Sequence, residues 1–257
     1  MSLTRREWLG GILALLAAAS GGRSAHAIGA ATRFRLCTLS LPGAEVFPRP
    51  GVIEAWLYEL SRNTSVEVDP LVKVVALTDS TLFDYPLVIV AGTRGFPPLG
   101  DREREALALF FRAGGMLFAD DCSGLNDGEF SRCLARELAT IFPGQELATL
   151  DRGHAVYRTF FLLQRSAGRV VVRPYLEGIT LGEVTPVILS RNDLLGAWSQ
   201  DSAGGYLYET VPGGREQRLI AYKMGINVMM YALTLNYKLD ATHVRALLKK
   251  RRGVYDE

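Results

Sequence analysis

Histidine and cysteine are scarce in this chain, with three of each in 257 residues. The odd cysteine count (Cys37, Cys122, Cys133) leaves at least one free thiol even where a disulfide forms. A Cys122–Cys133 bond stays open, because spacing alone does not set the distance between two sulfurs. Net charge is also nearly lacking. Of 29 basic and 27 acidic residues, the first 27 positions hold three (Arg5, Arg6, Arg23) and one (Glu7), so the remainder is formally neutral. A neutral body argues against a nucleic-acid binder, which needs a net basic face to replace phosphate counterions. After residue 27 no apolar run approaches the roughly 20 residues of a membrane span. There is no internal repeat, no low-complexity tract and no dinucleotide, iron–sulfur or haem motif, so no cofactor is evident.

What is present begins at the N-terminus. Thr4-Arg5-Arg6-Glu7-Trp8-Leu9 is a twin-arginine motif, an apolar run follows over residues 9–19, and Ser24-Ala25-His26-Ala27 supplies small residues for cleavage after Ala27. The run is short and rich in Gly and Ala, which disfavours an uncleaved anchor. An ordinary secretory signal is the other alternative. The expectation is a folded cargo exported to the periplasm or cell envelope, with residues 1–27 a signal, 28–252 one domain and 253–257 a tail.

Residues 33–41 alternate and read as a first strand, and residues 51–62 carry Val52, Ala55, Trp56 and Leu60 at helical spacing. Residues 72–77 and the continuous apolar runs 86–91 and 116–119 read as strands, the latter two suited to burial on both faces of a parallel sheet. Asp101 is placed to cap a helix that Gly114-Gly115 closes, and residues 129–141 read as a helix stopped by Pro143. Farther on, 160–163, 170–173 and 186–190 look like strands, and 223–235 and 241–250 like two helices. The alternation is that of an α/β domain with a mostly parallel sheet.

Several pieces in order carry a family resemblance. They are Thr78-Asp79, Leu82-Phe83-Asp84-Tyr85-Pro86, residues 112–121 (RAGGMLFADD), Ile141-Phe142-Pro143, His154 and Asn192-Asp193-Leu194. Ala197-Trp198, Gly225-Ile226-Asn227, residues 231–234 (YALT), Asn236-Tyr237-Lys238 and His243 follow. Together they resemble the bacterial domain-of-unknown-function family 4159, over roughly residues 33–252. The resemblance implies a flavodoxin-like three-layer sandwich, similar to class-I glutamine amidotransferases, and no particular reaction.

Asp120-Asp121-Cys122-Ser123-Gly124 sits where a buried strand should end, and ligands of open parallel sheets bind outside the carboxyl ends of strands. The resemblance aligns it with the Gly-x-Cys-x-Gly turn that presents the amidotransferase nucleophile. Asp120 replaces the first glycine, and its charge would raise the thiol pKa. The late His-x-Glu pair is missing, since Val156 and Arg245 stand two residues after His154 and His243. Cys122 and His154 are nonetheless the catalytic candidates. Asp120, Asp121 and His154 offer a possible divalent-metal set. The competing structural reading gives one Asp an Asx-turn cap and the other an Arg partner, with His154 fixing its loop. Asp193 and Trp198 join the ligand-binding candidates, Trp198 either stacking on a sugar or packing at a rim. Asn227 needs a hydrogen-bond partner if buried. Lys249-Lys250-Arg251-Arg252 is either a solvated helix end or a contact for an acidic surface.

The function expected is a non-catalytic domain binding a small ligand or an envelope protein. The alternative is a hydrolase or transferase acting at Asp120–Cys122 with His154, metal-assisted or not.

Overall fold

The structure, a computed structural model, describes residues 33–252, with side chains through Leu235. The signal expected over residues 1–27, with its expected cleavage after Ala27, and the tail 253–257 lie outside the described residues, as do the side chains of His243 and Lys249–Arg252.

Seven strands form one mixed sheet: β1 (Leu36–Ser40), β2 (Val74–Ala76), β3 (Leu87–Gly92), β4 (Met116–Asp121), β5 (Ala148–Thr149), β6 (Glu177–Leu181) and β7 (Val184–Ser190). Their order is β2-β1-β3-β4-β7-β6-β5. The first five in that order run parallel, and β6 and β5 close one edge antiparallel. Four α-helices among the described residues complete the fold: α1 (Val52–Asn63), α2 (Asp101–Arg112), α3 (Glu129–Ile141) and α4 (Gly214–Arg252). The protein is thus α/β with a mostly parallel sheet. No helix among the described residues is long and apolar enough to cross a membrane.

Side chains alternate across a strand, and the central strands feed two separate cores. Leu87, Ile89, Met116 and Phe118 pack with Trp56 and Leu60 of α1 and Met224 and Met229 of α4. Val88, Val90, Leu117 and Ala119 pack with Phe110 of α2 and Phe130 and Leu134 of α3. Both faces of the sheet are therefore covered, which is why 87–92 and 116–121 are buried throughout. Helix α1 exists as a stripe: Val52, Ile53, Trp56, Leu57 and Leu60 are its buried residues. Across the other face, buried Glu137 of α3 accepts from Arg104 Nε of α2 (2.9 Å) and Arg136 Nε (2.8 Å).

Four expectations need correction. Asp101 is not a cap: Gly100 holds that position without a side-chain bond, and Asp101 opens the helix. Residues 160–163 and 170–173 are not strands. Their amides are taken by side chains instead of a ladder: Phe160 and Phe161 N–H donate to Asn227 Oδ1 (3.3 and 2.7 Å), Val172 and Arg173 N–H to Asn192 Oδ1 (both 2.8 Å). The two strands that complete the sheet are β5 and β6. Finally, 223–235 and 241–250 belong to one helix, α4, which begins nine residues before the first of them. Its opening turns hid from the periodicity because Gln217 and Arg218 are buried, polar and hydrogen-bonded inward.

Candidate functional site

Strands β3, β4 and β7 end side by side, with Gly92 opposite Asp121 and Asp120 opposite Ser190. Asp120 and Asp121 then leave the sheet on opposite faces, as strand alternation requires. Asp121 Oδ1 accepts from Ser123 N–H (3.0 Å), and its Oδ2 from Ser131 N–H (3.2 Å) and the Ser131 hydroxyl. It ties the turn after β4 to the first turn of α3. Gly128 lies so close that a Cβ there would stand 2.2 Å from Asp121 Oδ2. Asp120 instead caps the short helical turn at 195–197. Its Oδ1 accepts from Leu194 N–H (3.0 Å), its Oδ2 from Leu195 N–H (2.8 Å), and Ser190 adds a hydroxyl.

Asp193 lies between these residues and two arginines. It is fully buried and takes the left-handed conformation, φ 50°, which Asp tolerates better than most residues. Arg49, from the loop between β1 and α1, donates through Nε to Oδ1 (3.0 Å) and Nη2 to Oδ2 (2.7 Å). Its Nη2 also reaches the Cys122 carbonyl (3.3 Å), and its guanidinium lies 4.7 Å from the Tyr208 ring centre. Arg169 donates to Asp193 Oδ2 from the outside, and Gly196 N–H to Oδ1 (3.0 Å). The backbone of 168–170 runs directly against 192–193, so a Cβ on Gly168 would sit 2.1 Å from the Asn192 carbonyl oxygen. Only glycine fits there.

Cys122 is buried beneath this network, its Sγ 3.7 Å from the Asp120 carbonyl oxygen and 3.8 Å from Oδ2. Burial pushes the thiol well above its ordinary pKa, and the Asp120 and Asp193 charges push it further. Ligating atoms of Asp120, Cys122 and Asp193 fall within 4.8 Å of one another. The carboxylate oxygens among them are already bonded to three amides, a hydroxyl and two guanidiniums.

His154 is not brought to this place. Its Nδ1 accepts from Val156 N–H (3.2 Å), so the proton sits on Nε2, which donates to Thr185 Oγ1 (2.9 Å). Thr185 is the second residue of β7 and Ser190, beside Asp120, the last. They stand five positions apart along the strand, roughly 16 Å. The proposed metal set Asp120–Asp121–His154 and the proposed Cys122–His154 pair are therefore not assembled. Burial holds the His154 pKa below its ordinary value, and the residue fixes its loop. Trp198 is no rim residue: it is buried, 3.9 Å from the Tyr222 ring and 5.8 Å from Trp56, and Nε1 donates to Ala221 O (3.2 Å). Asn227 finds the partners its burial demands, donating to Val156 O and Phe161 O at 2.8 Å each.

Residues 45–233 match the family described as domain of unknown function, DUF4159. The chain belongs to the DUF4159 family. No curated protein matches it. The matched DUF4159 segment contains every residue of the network, from Arg49 to Tyr208.

Sequence reasoning missed Arg49, Arg169, Tyr208 and Glu45. It also missed a second feature of this DUF4159 domain, a crevice of about 140 Å³ at the carboxyl ends of β1 and β3, lined by Thr38, Ser40, Glu45, Phe47 and Ala91 among others. Burial works against the Glu45 charge, yet hydrogen bonds from Thr93 and Arg94 hold its pKa below the usual value. Thr93 Oγ1 is 2.8 Å from Glu45 Oε1. The only signal in the sequence was the position of Glu45 and Arg49 in the loop that follows the first strand.

Asp120 makes the site pH-sensitive. Burial, then the neighbouring Asp193 charge, pushes its carboxyl up to about 7. An unfolded aspartate titrates near pH ~4, so the folded state holds the extra proton between the two values. The stability this contributes is full below about pH 4 and is lost as pH rises through about 7. Urea midpoints should therefore fall over that window. In Asp120→Asn this part of the slope should vanish, and parallel profiles for the two proteins would refute the assignment.

Proposed function

We propose that this chain is a non-catalytic, ligand- or partner-binding domain of the amidotransferase-like, flavodoxin-like class, exported to the bacterial cell envelope by the twin-arginine route. The fold assignment is supported by the order of the parallel strands, β2-β1-β3-β4-β7. It is the doubly wound order in which ligands lodge beyond the carboxyl ends of the first and third strands, where the Glu45 crevice lies. The export assignment rests on Arg5, Arg6 and the apolar run after them.

One observation carries the non-catalytic reading. The residue at the nucleophile's topological place, Cys122, is sealed under Asp120 and Asp193, its thiol pushed far toward the protonated form. Nucleophilic chemistry needs a thiolate with access to substrate and a base within hydrogen-bond reach. The hydrolase or transferase alternative lacks its base, since His154 serves Val156 and Thr185.

The test is alkylation by iodoacetamide under native conditions, followed by peptide mapping. Half-buried Cys133 should react first, and buried Cys122 only once denaturant opens the fold. Labelling of Cys122 in the native protein faster than Cys133 would reverse the conclusion.

A further inference from the structure

We propose that a groove along the opening turns of α4 binds a neutral oligosaccharide. It lies apart from the Glu45 crevice and does not depend on the reading of that crevice. Two hollows of about 460 Å³ each share Tyr206 as a common wall. Each is of the size that small-molecule sites occupy. One continues along Glu209, Thr210 and Arg215, the other along Gln200, Tyr222 and Lys223 with Phe161 and Asn63.

The aromatic rings are fixed from behind. Tyr206 is 51% exposed, and the buried Arg218 guanidinium lies 3.7 Å from its ring centre. Arg218 is held by the Ala197 carbonyl and by Tyr208 O (2.6 Å). Trp198 backs Tyr222 at 3.9 Å, and Lys223 Nζ sits 5.5 Å from the Phe161 ring centre. A hydroxyl chain joins the walls: Gln200 Nε2 donates to Tyr222 OH (3.2 Å), and Tyr222 OH to Tyr206 OH (3.5 Å). Rings held in place lose little freedom when a ligand stacks on them.

The ligand class follows from this chemistry. Flat rings offer their faces to C–H surfaces, while amides and phenols beside them donate and accept hydrogen bonds. A pyranose presents both an apolar face and an equatorial belt of hydroxyls. Charge in the groove is of mixed sign, Glu59 with Lys223 in one hollow and Glu209 with Arg215 and Arg218 in the other. Arg218 is buried and committed to the Tyr206 ring and two carbonyls, which leaves one acid and one uncommitted base in each hollow and no strong preference for an anion or a cation. Two hollows sharing one ring suit a chain of sugars better than a single unit.

The experiment is isothermal titration of the purified full chain with maltohexaose, cellohexaose and chitohexaose, with heparin as the anionic comparison. At least one neutral hexaose should bind with a Kd of about 1 mM or tighter, and Tyr206→Ala should weaken it about tenfold. Gln200→Ala, whose side chain touches the groove but not the core, should weaken it severalfold and guards against misfolding of the first variant. Leu162→Ser, an exposed residue that does not line the groove, should leave it unchanged. No heat with any of the three at about 10 mM, or unaltered affinity in both groove variants, would overturn the proposal. So would binding of heparin alone, or self-association that Tyr206→Ala abolishes, which would make the groove an interface between copies.

Discussion

Replacing Asp193 by Asn should destabilise the fold by about 3–5 kcal/mol, the range for removing one member of a buried ion pair. The carboxylate is wholly buried and neutralises Arg49, whose side chain is only 8% exposed. Asparagine keeps the shape and tolerates the left-handed φ, so the loss reports charge and hydrogen bonding. Its single carbonyl oxygen cannot serve Arg49, Arg169 and the Gly196 amide together. Asp193→Ala should lose about 1 kcal/mol more through backbone strain. The arginines should rank differently from one another. Arg169 is a quarter exposed and can turn to water, so Arg169→Met should cost less than Arg49→Met. Urea unfolding of the four variants measures this order. A loss for Asp193→Asn below about 1 kcal/mol would mean that the network does not hold the carboxyl edge together.

The first half of the fold was legible because its helices carry one apolar stripe each and its central strands are unbroken apolar runs. The helix expected at 129–141 has those ends, and the apolar runs near 86–91 and 116–119 are β3 and β4. Past residue 150 the regularity fails for a physical reason. Asn192 and Asn227 take over backbone amides that would otherwise pair in strands, and Gln217 and Arg218 bury polar groups inside a helix. A periodicity that reads polar as exposed cannot see either device. The site shows the same division. Asp120 and Asp121 were found by their place at the end of a buried apolar run, and Asp193 in a short polar stretch. Arg49 was not, because it lies 144 residues from Asp193 and no local pattern marks that pairing. His154 and Trp198 were drawn to the site by residue type alone, and their surroundings assign them elsewhere.

Trp198 offers the second large effect. Trp198→Ala should cost about 3–5 kcal/mol, as for other buried large aromatics. The side chain is 1% exposed and fills the space between Trp56, Tyr222 and the backbone of α4, where a Cβ on Gly225 would stand 2.9 Å from its ring. Trp198→Phe removes the Nε1–H bond to Ala221 O and part of the volume, and should cost less. The two variants separate packing from surface recognition. A ring exposed for ligand stacking could be cut back with little change in unfolding free energy, whereas a ring wedged between two helices and the sheet could not. Because Trp198 also supports Tyr222 from behind, its loss should slacken the α4 groove. Thermal unfolding with near-ultraviolet circular dichroism follows both consequences together. A Trp198→Ala protein of unchanged stability would return this residue to the surface.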